Sequence, residues 1–456
     1  MPTLSQQIAD FLTGDIGHRI SAPVQALVET AFIDTAGCIL SGRDEPVTRH
    51  VLAWLDRRAS KNSEASVLFS AHRLDAVAAG SLNALSGHAL DFDDVALAGH
   101  PSVVLVPALL AEEELSNLAG SALIQSYVKG YQVWADLLQR LPDPLHEKGW
   151  HPTAVLGTLG VTAAICAARG VSPYIAAHAL GIAASQAAGL VANFGTMTKP
   201  MHAYWAVEKG MNSVDLAQLG ITASMDALDG PTGLLTALSS SRPPERERPF
   251  SGLESLRIET VRPSIKKYPV CYAAHRAIDG VLNLRADHQL DATAVKRVHV
   301  HVSPTNRKVL KYARPQTPLE AKFSMQFACA SALVYGEVSL HRLSAASLSD
   351  PQVIRAMDVV EVHDDERACP LEPTFAFADR VVIELADGTR VDSGDIRFAR
   401  GHAALPLEPA QVEAKVLQCV PPEQRDTAAE IVMRLRRMLR GSDRSPPHFD
   451  RGSLCH

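Results

Sequence analysis

Four short segments of this chain carry side chains able to move protons or hold anions. The first reads Gly87-His88-Ala89-Leu90-Asp91-Phe92-Asp93-Asp94 and is followed by His100-Pro101-Ser102. Three carboxylates within four residues repel one another. If Leu82 to Asp94 is a helix, His88 and Asp91 share a face, Asp93 points elsewhere, and the acids gather at the end that the helix dipole disfavours. That local conflict marks a candidate site rather than a solvated helix end. His100, placed before Pro101 in extended geometry, stands at the mouth of a helix expected over Val103 to Leu110, where an imidazole could exchange protons near neutral pH. A second imidazole has the same setting in Gly149-Trp150-His151-Pro152-Thr153.

The third segment is Phe194-Gly195-Thr196-Met197-Thr198-Lys199-Pro200-Met201-His202-Ala203. Glycine and proline around Lys199 indicate a loop, and the apolar stretch before it sends the lysine into a cleft where it could bind a carboxylate beside the Thr198 hydroxyl. The fourth is Lys266-Lys267-Tyr268-Pro269-Val270-Cys271-Tyr272-Ala273-Ala274-His275, at the expected junction of two domains, where ligands often lodge. A solvated basic edge is the competing reading there. Together these residues suit proton abstraction next to a carboxylate in a small polyacid, with lysines holding substrate charge and a histidine or aspartate moving the proton.

The elements that must position them change character along the chain. From Leu4 to about Asp229 the patterns are helical and rich in small residues. Ala154 to Ala168 is expected as a helix buried on most sides, and Ser172-Pro173 should open an Ala-rich helix running from Tyr174 to Leu190. Ser239 to Gly252 reads as an exposed loop. Beyond Tyr268, Val298, Val300 and Val302 alternate with His299 and His301 as in a half-buried strand, and Asp387-Gly388 should turn a hairpin between Val381–Leu385 and Thr389–Asp392. Glu320 to Tyr335 has helical spacing, as do the segment from Glu408 and Ala428 to Leu439. The expected fold is mainly α with a smaller α+β domain: a helical domain over 1–264, an α/β lid over 265–402, helices returning to the first domain over 403–441, and a loose tail over 442–456.

Composition narrows the function. The 456 residues include 44 Lys plus Arg against 50 Asp plus Glu, for a net charge of −6, and no basic block offers a footprint for nucleic acid or an anionic membrane. Ala154 to Ala168 falls short of a bilayer span, and the first twenty residues lack the basic and apolar regions of an export signal, so a cytoplasmic protein is expected. The seven cysteines, Cys455 in the tail among them, are scattered without the spacing of a metal site, so no metal is expected. The sequence holds neither a phosphate-binding glycine motif nor a G-x-S-x-G elbow, which argues against kinases, dehydrogenases and α/β-hydrolases.

At H-A-L-D-F-D-D with H-P-S, at G-W-H-P-T, at G-T-M-T-K-P-M-H-A and at K-K-Y-P-V-C with its downstream histidine, the sequence resembles the MmgE/PrpD family over most of its length. The resemblance implies a helical domain closed by an α/β lid, a homodimer, and an active site between the domains that needs no metal or organic cofactor. It implies catalytic roles for Asp91, His100, His151 and Lys199, and substrate contacts from Lys266, with Lys267, Cys271, His275 and Thr198 beside them. It also implies a hydro-lyase acting on a citrate- or 2-methylcitrate-like di- or tricarboxylate. The alternatives are an epimerase of a dicarboxylate such as iminodisuccinate, or a catalytically silent dicarboxylate binder. Val95, Cys271 and Phe327 stand where decarboxylating members of the family would carry threonine, histidine and tyrosine. Which histidine gives a proton and which takes it stays open.

Overall fold

The structure is a computed structural model that describes residues 2–58, 62–68, 70–369 and 376–441; the expected loose tail over 442–456, with Cys455, lies outside the described residues. The first half of the chain is built from α1 (Leu4–Thr13), α2 (Ala22–Gly42), α3 (Pro46–Asp56), α4 (Ala76–His88), α5 (Ser102–Ser116), α6 (Gly120–Arg140), α7 (Pro152–Arg169), α8 (Pro173–Ala184), α9 (Thr198–Gln218) and the short α10 (Leu234–Leu238). A two-stranded ribbon, β1 (Ala65–Ser66) and β2 (Arg73–Leu74), lies between α3 and α4. One apolar core runs from Leu4 to Ile258 and takes in Val412 to Leu439 from the far end of the chain.

Small residues let these helices approach closely. A Cβ at Gly130 of α6 would sit 2.7 Å from the Gly160 carbonyl of α7, and one at Gly210 of α9 would sit 2.6 Å from Val161 Cγ1. Contact at that distance leaves α7 enclosed by α5, α6, α8 and α9. By length and composition α2 and α7 could each cross a membrane, yet 67% and 83% of their most apolar windows are buried inside the fold. Here they are core helices.

The second core, from Tyr268 to Val391, belongs to a smaller α+β region. It comprises α11 (His275–Asp287), β3 (Val295–Val302), α12 (Pro304–Val309), α13 (Pro318–Ala321), α14 (Met325–Tyr335), α15 (Ala345–Ser349), α16 (Pro351–Asp358), β4 (Val360–Asp364), β5 (Arg380–Leu385) and β6 (Arg390–Asp392). The four strands form one sheet in the order β4-β3-β5-β6; β3 and β4 are parallel and the other pairs antiparallel. Val298, Val300, Val381 and Ile383 fill its buried face. The expected hairpin is present, with Gly388 in the left-handed region at φ 88°. Finally α17 (Pro409–Gln418) and α18 (Arg425–Leu439) pack on α2, and α18 also meets α6.

Several expected elements change. The 174–190 helix stops at Ala184, because Gly189 passes so close to α7 that a Cβ there would lie 2.4 Å from that of Ala154. The 320–335 helix is two helices: Ser324 caps the second through Phe327 N, and Lys322 is freed to reach another part of the chain. The 239–252 segment is not simply exposed. Phe250 is buried against Phe11 at 5.1 Å, and Arg140 holds the carbonyls of Glu245, Arg248 and Pro249.

The largest change is at the acidic cluster. Helix α4 ends at His88, not near Asp94, and Asp91 takes a left-handed backbone at φ 53°, strained for a residue with a side chain. Beneath this loop the buried Lys415 of α17 pairs with Asp34 of α2 at 2.7 Å and donates to the Phe92 carbonyl, also at 2.7 Å. Asp94 is bonded to Ser102, whose hydroxyl lies 2.7 Å from Tyr127 Oη. Burial, with Asp34 and Asp93 nearby, pushes the Asp94 carboxyl up to about 7 even against its Ser102 hydrogen bonds.

Two outcomes follow from this underlay. Because the folded carboxyl titrates above its ordinary value, the stability it allows is full below about pH 4 and is lost as pH rises towards 7. The stability advantage of Asp94→Asn should therefore grow by up to ~1.4 kcal/mol per pH unit over that interval, read by denaturant melts at several pH values; a pH-independent difference would contradict it. Lys415→Met strands Asp34 without its cation and should cost about 3–5 kcal/mol in the same melts.

Candidate active site

Three helix N-termini and one C-terminus meet at a buried chamber. His100 lies just before α5, His151 is the N-cap residue of α7, Lys199 stands in the first turn of α9, and His88 closes α4. Lys199 is thus helical rather than in the expected loop, since Pro200 can occupy a first turn where no intrahelical donor is required. These N-termini add partial positive charge around the lysines.

Asp91 is the hub. Its Oδ1 is bonded to Lys199 Nζ, and Lys266 Nζ lies 3.0 Å from Oδ2 while donating to the Asp91 carbonyl at 2.8 Å. Burial alone would raise this carboxyl, but the two ammoniums hold it well below the usual carboxylate range. Lys199 also sits over the rings of Phe194 and Phe323, at 5.2 and 5.3 Å from their centroids. A third lysine, Lys322, donates to the Ala89 carbonyl at 3.0 Å, and burial lowers its ammonium to about 8.

Asp93 anchors the histidines. His88 Nδ1 lies 3.0 and 2.9 Å from its two oxygens, and His100 Nδ1 lies 3.1 Å from Oδ2 and 2.9 Å from the Asp94 carbonyl. Each Nδ1 faces only acceptors, which assigns it the proton and leaves each Nε2 with a free lone pair. His88 Nε2 is buried with no hydrogen-bond partner among the described residues, and His100 Nε2 is 3.8 Å from Asp91 Oδ1. Burial lowers His88 to about 3 despite the pull of Asp93. His151 Nδ1 is 3.0 Å from His202 Nδ1, and its ring lies 5.8 Å from His88 and 6.1 Å from His100. Burial, then Lys199 and His202, keep His151 neutral far below its ordinary value.

Five sequence-predicted residues therefore converge: Asp91, His100, His151, Lys199 and Lys266. Cys271 and His275 lie close enough to feel Asp91 and Lys266 electrostatically. Burial pushes the Cys271 thiol up to about 11 and His275 down to about 3, with His275 Nε2 3.2 Å from the Val270 carbonyl. Lys267 does not join; it is exposed at the start of a bend while its neighbour Lys266 is fully buried. Thr198 opens α9, half-buried, with its backbone N–H on Thr196 Oγ1. Of the substituted positions, Phe327 lies in the lid core and Val95 pairs by backbone with Ser264.

The sequence reading assigned no site role to His88, Asp93, His202 or Lys322. On a continued helix Asp93 would turn away from His88; the break at Ala89 reverses that. His202 follows Lys199 by three residues, a spacing that could have placed both on one helix face. Lys322, 231 positions beyond Asp91, carries no local signal. His88, His100 and His151 present ring nitrogens within 4.8 Å of one another, as do His88 and His100 with Asp91 and Asp93, close enough for one metal ion. However, Asp91 is already paired with two ammoniums and Asp93 accepts from two imidazoles, so three buried lysines outnumber the two carboxylates, a balance that suits an anion better than a further cation. A separate cavity of about 490 Å³, lined by Trp54, Asp75, Tyr204 and Glu208 among others, contains none of these groups.

Comparison with known proteins gives the family. The chain matches the MmgE/PrpD N-terminal domain over residues 6–247 and the MmgE/PrpD C-terminal domain over residues 268–437. It is 26% identical over 430 residues to cis-aconitate decarboxylase of Homo sapiens, covering 91% of this chain and 87% of the relative. It is 25% identical over 355 residues to cis-aconitate decarboxylase of Aspergillus terreus, covering 70% of each. With both of its domains matched in order along the chain, this protein belongs to the MmgE/PrpD family.

Proposed function

We propose that this protein is a lyase acting on a small di- or tricarboxylate, with the chemistry centred on His100. The observation that carries this reading is a surplus of buried positive charge: Lys199, Lys266 and Lys322 surround one carboxylate, Asp91, while Asp93 is engaged by His88 and His100. A substrate carboxylate supplies the missing negative charge in a setting of low dielectric, where such attraction is strong.

His100 Nε2 is the group best placed to move a proton. Asp93 and the Asp94 carbonyl fix the other ring nitrogen, so the imidazole cannot flip, and its accepting nitrogen stays beside the carboxylate-binding lysines. In elimination, Nε2 takes a proton from a carbon next to a substrate carboxylate. The C–H electron pair forms the double bond, and the leaving hydroxide departs as water with a proton from a neighbouring acid. The names of the relatives favour a second reading, in which carbon dioxide leaves and the same nitrogen, protonated, returns a proton to carbon. Cys271, a neutral thiol where a decarboxylating member would carry histidine, weighs towards elimination.

Proton NMR in deuterated water with citrate, 2-methylcitrate, cis-aconitate and iminodisuccinate separates the possibilities. Elimination gives new alkene signals, decarboxylation gives carbon dioxide with deuterium entering the product, and epimerisation gives deuterium exchange with no group lost. We expect a lyase outcome on at least one tricarboxylate; inertness towards all, with no binding by calorimetry, would contradict the reading. With that substrate, Asp93→Asn should lower kcat by about 100-fold or more and change KM little, because it frees the imidazole from its orientation without removing the lysines. A kcat within threefold of the parent would remove His100 from the proposed role.

A further inference from the structure

The outer face of the lid sheet carries a second cluster of ligating side chains that the proposed reaction does not use. The period-two pattern that buries Val298, Val300 and Val302 turns His299 and His301 to the opposite face. Parallel pairing then sets His299 beside Glu361 and His301 beside His363, so four polar side chains form a square on strands β3 and β4. His299 Nδ1 lies 3.1 Å from His363 Nε2 and 3.4 Å from Glu361 Oε2, and His363 Nε2 lies 3.9 Å from the same oxygen. His301 stacks on His363 with ring centroids 5.0 Å apart. The other oxygen of Glu361 is held by Arg297.

We propose that His299, His363 and Glu361 bind a divalent transition-metal ion of the zinc class. A tetrahedral ion with ligands at about 2.0–2.1 Å sets neighbouring ligand atoms roughly 3.3 Å apart, and an octahedral one roughly 2.9 Å. The observed triangle of 3.1, 3.4 and 3.9 Å needs only small side-chain rotations to meet either. Two imidazoles and one carboxylate are the donor set that zinc, nickel, cobalt and copper favour over calcium or magnesium. The stacked His301 packs the His363 ring on one side, and Arg297 fixes the carboxylate, the kind of supporting contact that orients metal ligands. The side chains are 24% (His299), 40% (His363) and 38% (Glu361) exposed, so an ion can enter from solvent and keep water in its remaining positions. Because β4 is an edge strand, the ion would tie it to β3, joining ligands 62 and 64 positions apart in sequence.

The test is calorimetric titration of the whole chain with zinc alone at pH 7.5, comparing the parent with His299→Ala, His363→Ala and Glu361→Gln, each checked for native circular dichroism. We expect one zinc equivalent to vanish in either histidine variant and to weaken at least tenfold in Glu361→Gln. His88→Ala, in the buried chamber, should retain that equivalent. Zinc should also raise the melting temperature of the parent and not of His363→Ala. No zinc uptake by the parent, or unchanged stoichiometry and affinity in His299→Ala and His363→Ala, would overturn the proposal.

Discussion

Four lysines from distant parts of the chain hold one loop, residues 89–93, in a shape that its own sequence disfavours. Lys322, Lys266 and Lys415 donate to the carbonyls of Ala89, Asp91 and Phe92, and Lys199 pairs with the Asp91 side chain. At the C-terminal end of α4 the carbonyls lack intrahelical donors, and cations there are favourable. The lysines satisfy the carbonyls just past that end and hold Asp91 in its left-handed backbone. They come from α9, from the crossing into the lid, from the lid itself and from α17. The loop is therefore where the helical body, the lid and the returning C-terminal helices are joined.

The chemistry grows out of this joint. Breaking the helix at Ala89 swings Asp93 back to His88 and His100, which fixes both rings and leaves their Nε2 atoms free. Burial costs the lysines hydration, and the few carboxylates nearby do not balance them all, so the chamber is charged in advance for an anion. Most of the imidazoles there are pressed towards neutrality by burial, so they add no positive charge to that of the lysines. The same charge balance weighs against a cation in the chamber, whereas the solvent-facing His299 and His363 of the lid lie beside the Glu361 carboxylate.

The sequence disclosed most of the fold and part of the site, for physical reasons. The period-two valines around His299 and the Asp387-Gly388 turn depend on neighbouring residues, so β3 and the β5–β6 hairpin were legible. Asp91, His100, His151, Lys199 and Lys266 each sit in a motif of unusual local chemistry. Where long-range contacts overrule local preference, the reading diverged. The 82–94 helix ends early because lysines that lie up to 323 positions away take its last carbonyls. Lys267 resembles Lys266 in every local respect, and only the long-range pairing of Lys266 with Asp91 shows which of them is buried. Lys322 was hidden because its partner belongs to another domain.

The most direct measurement is a crystal structure of the protein with an unreactive tricarboxylate such as tricarballylate. The account places its carboxylates on Lys199 and Lys266, with a substrate carbon within about 3.5 Å of His100 Nε2. A ligand bound outside the chamber, in the cavity beside Trp54 and Tyr204 for instance, or held with no contact to either lysine, would contradict it.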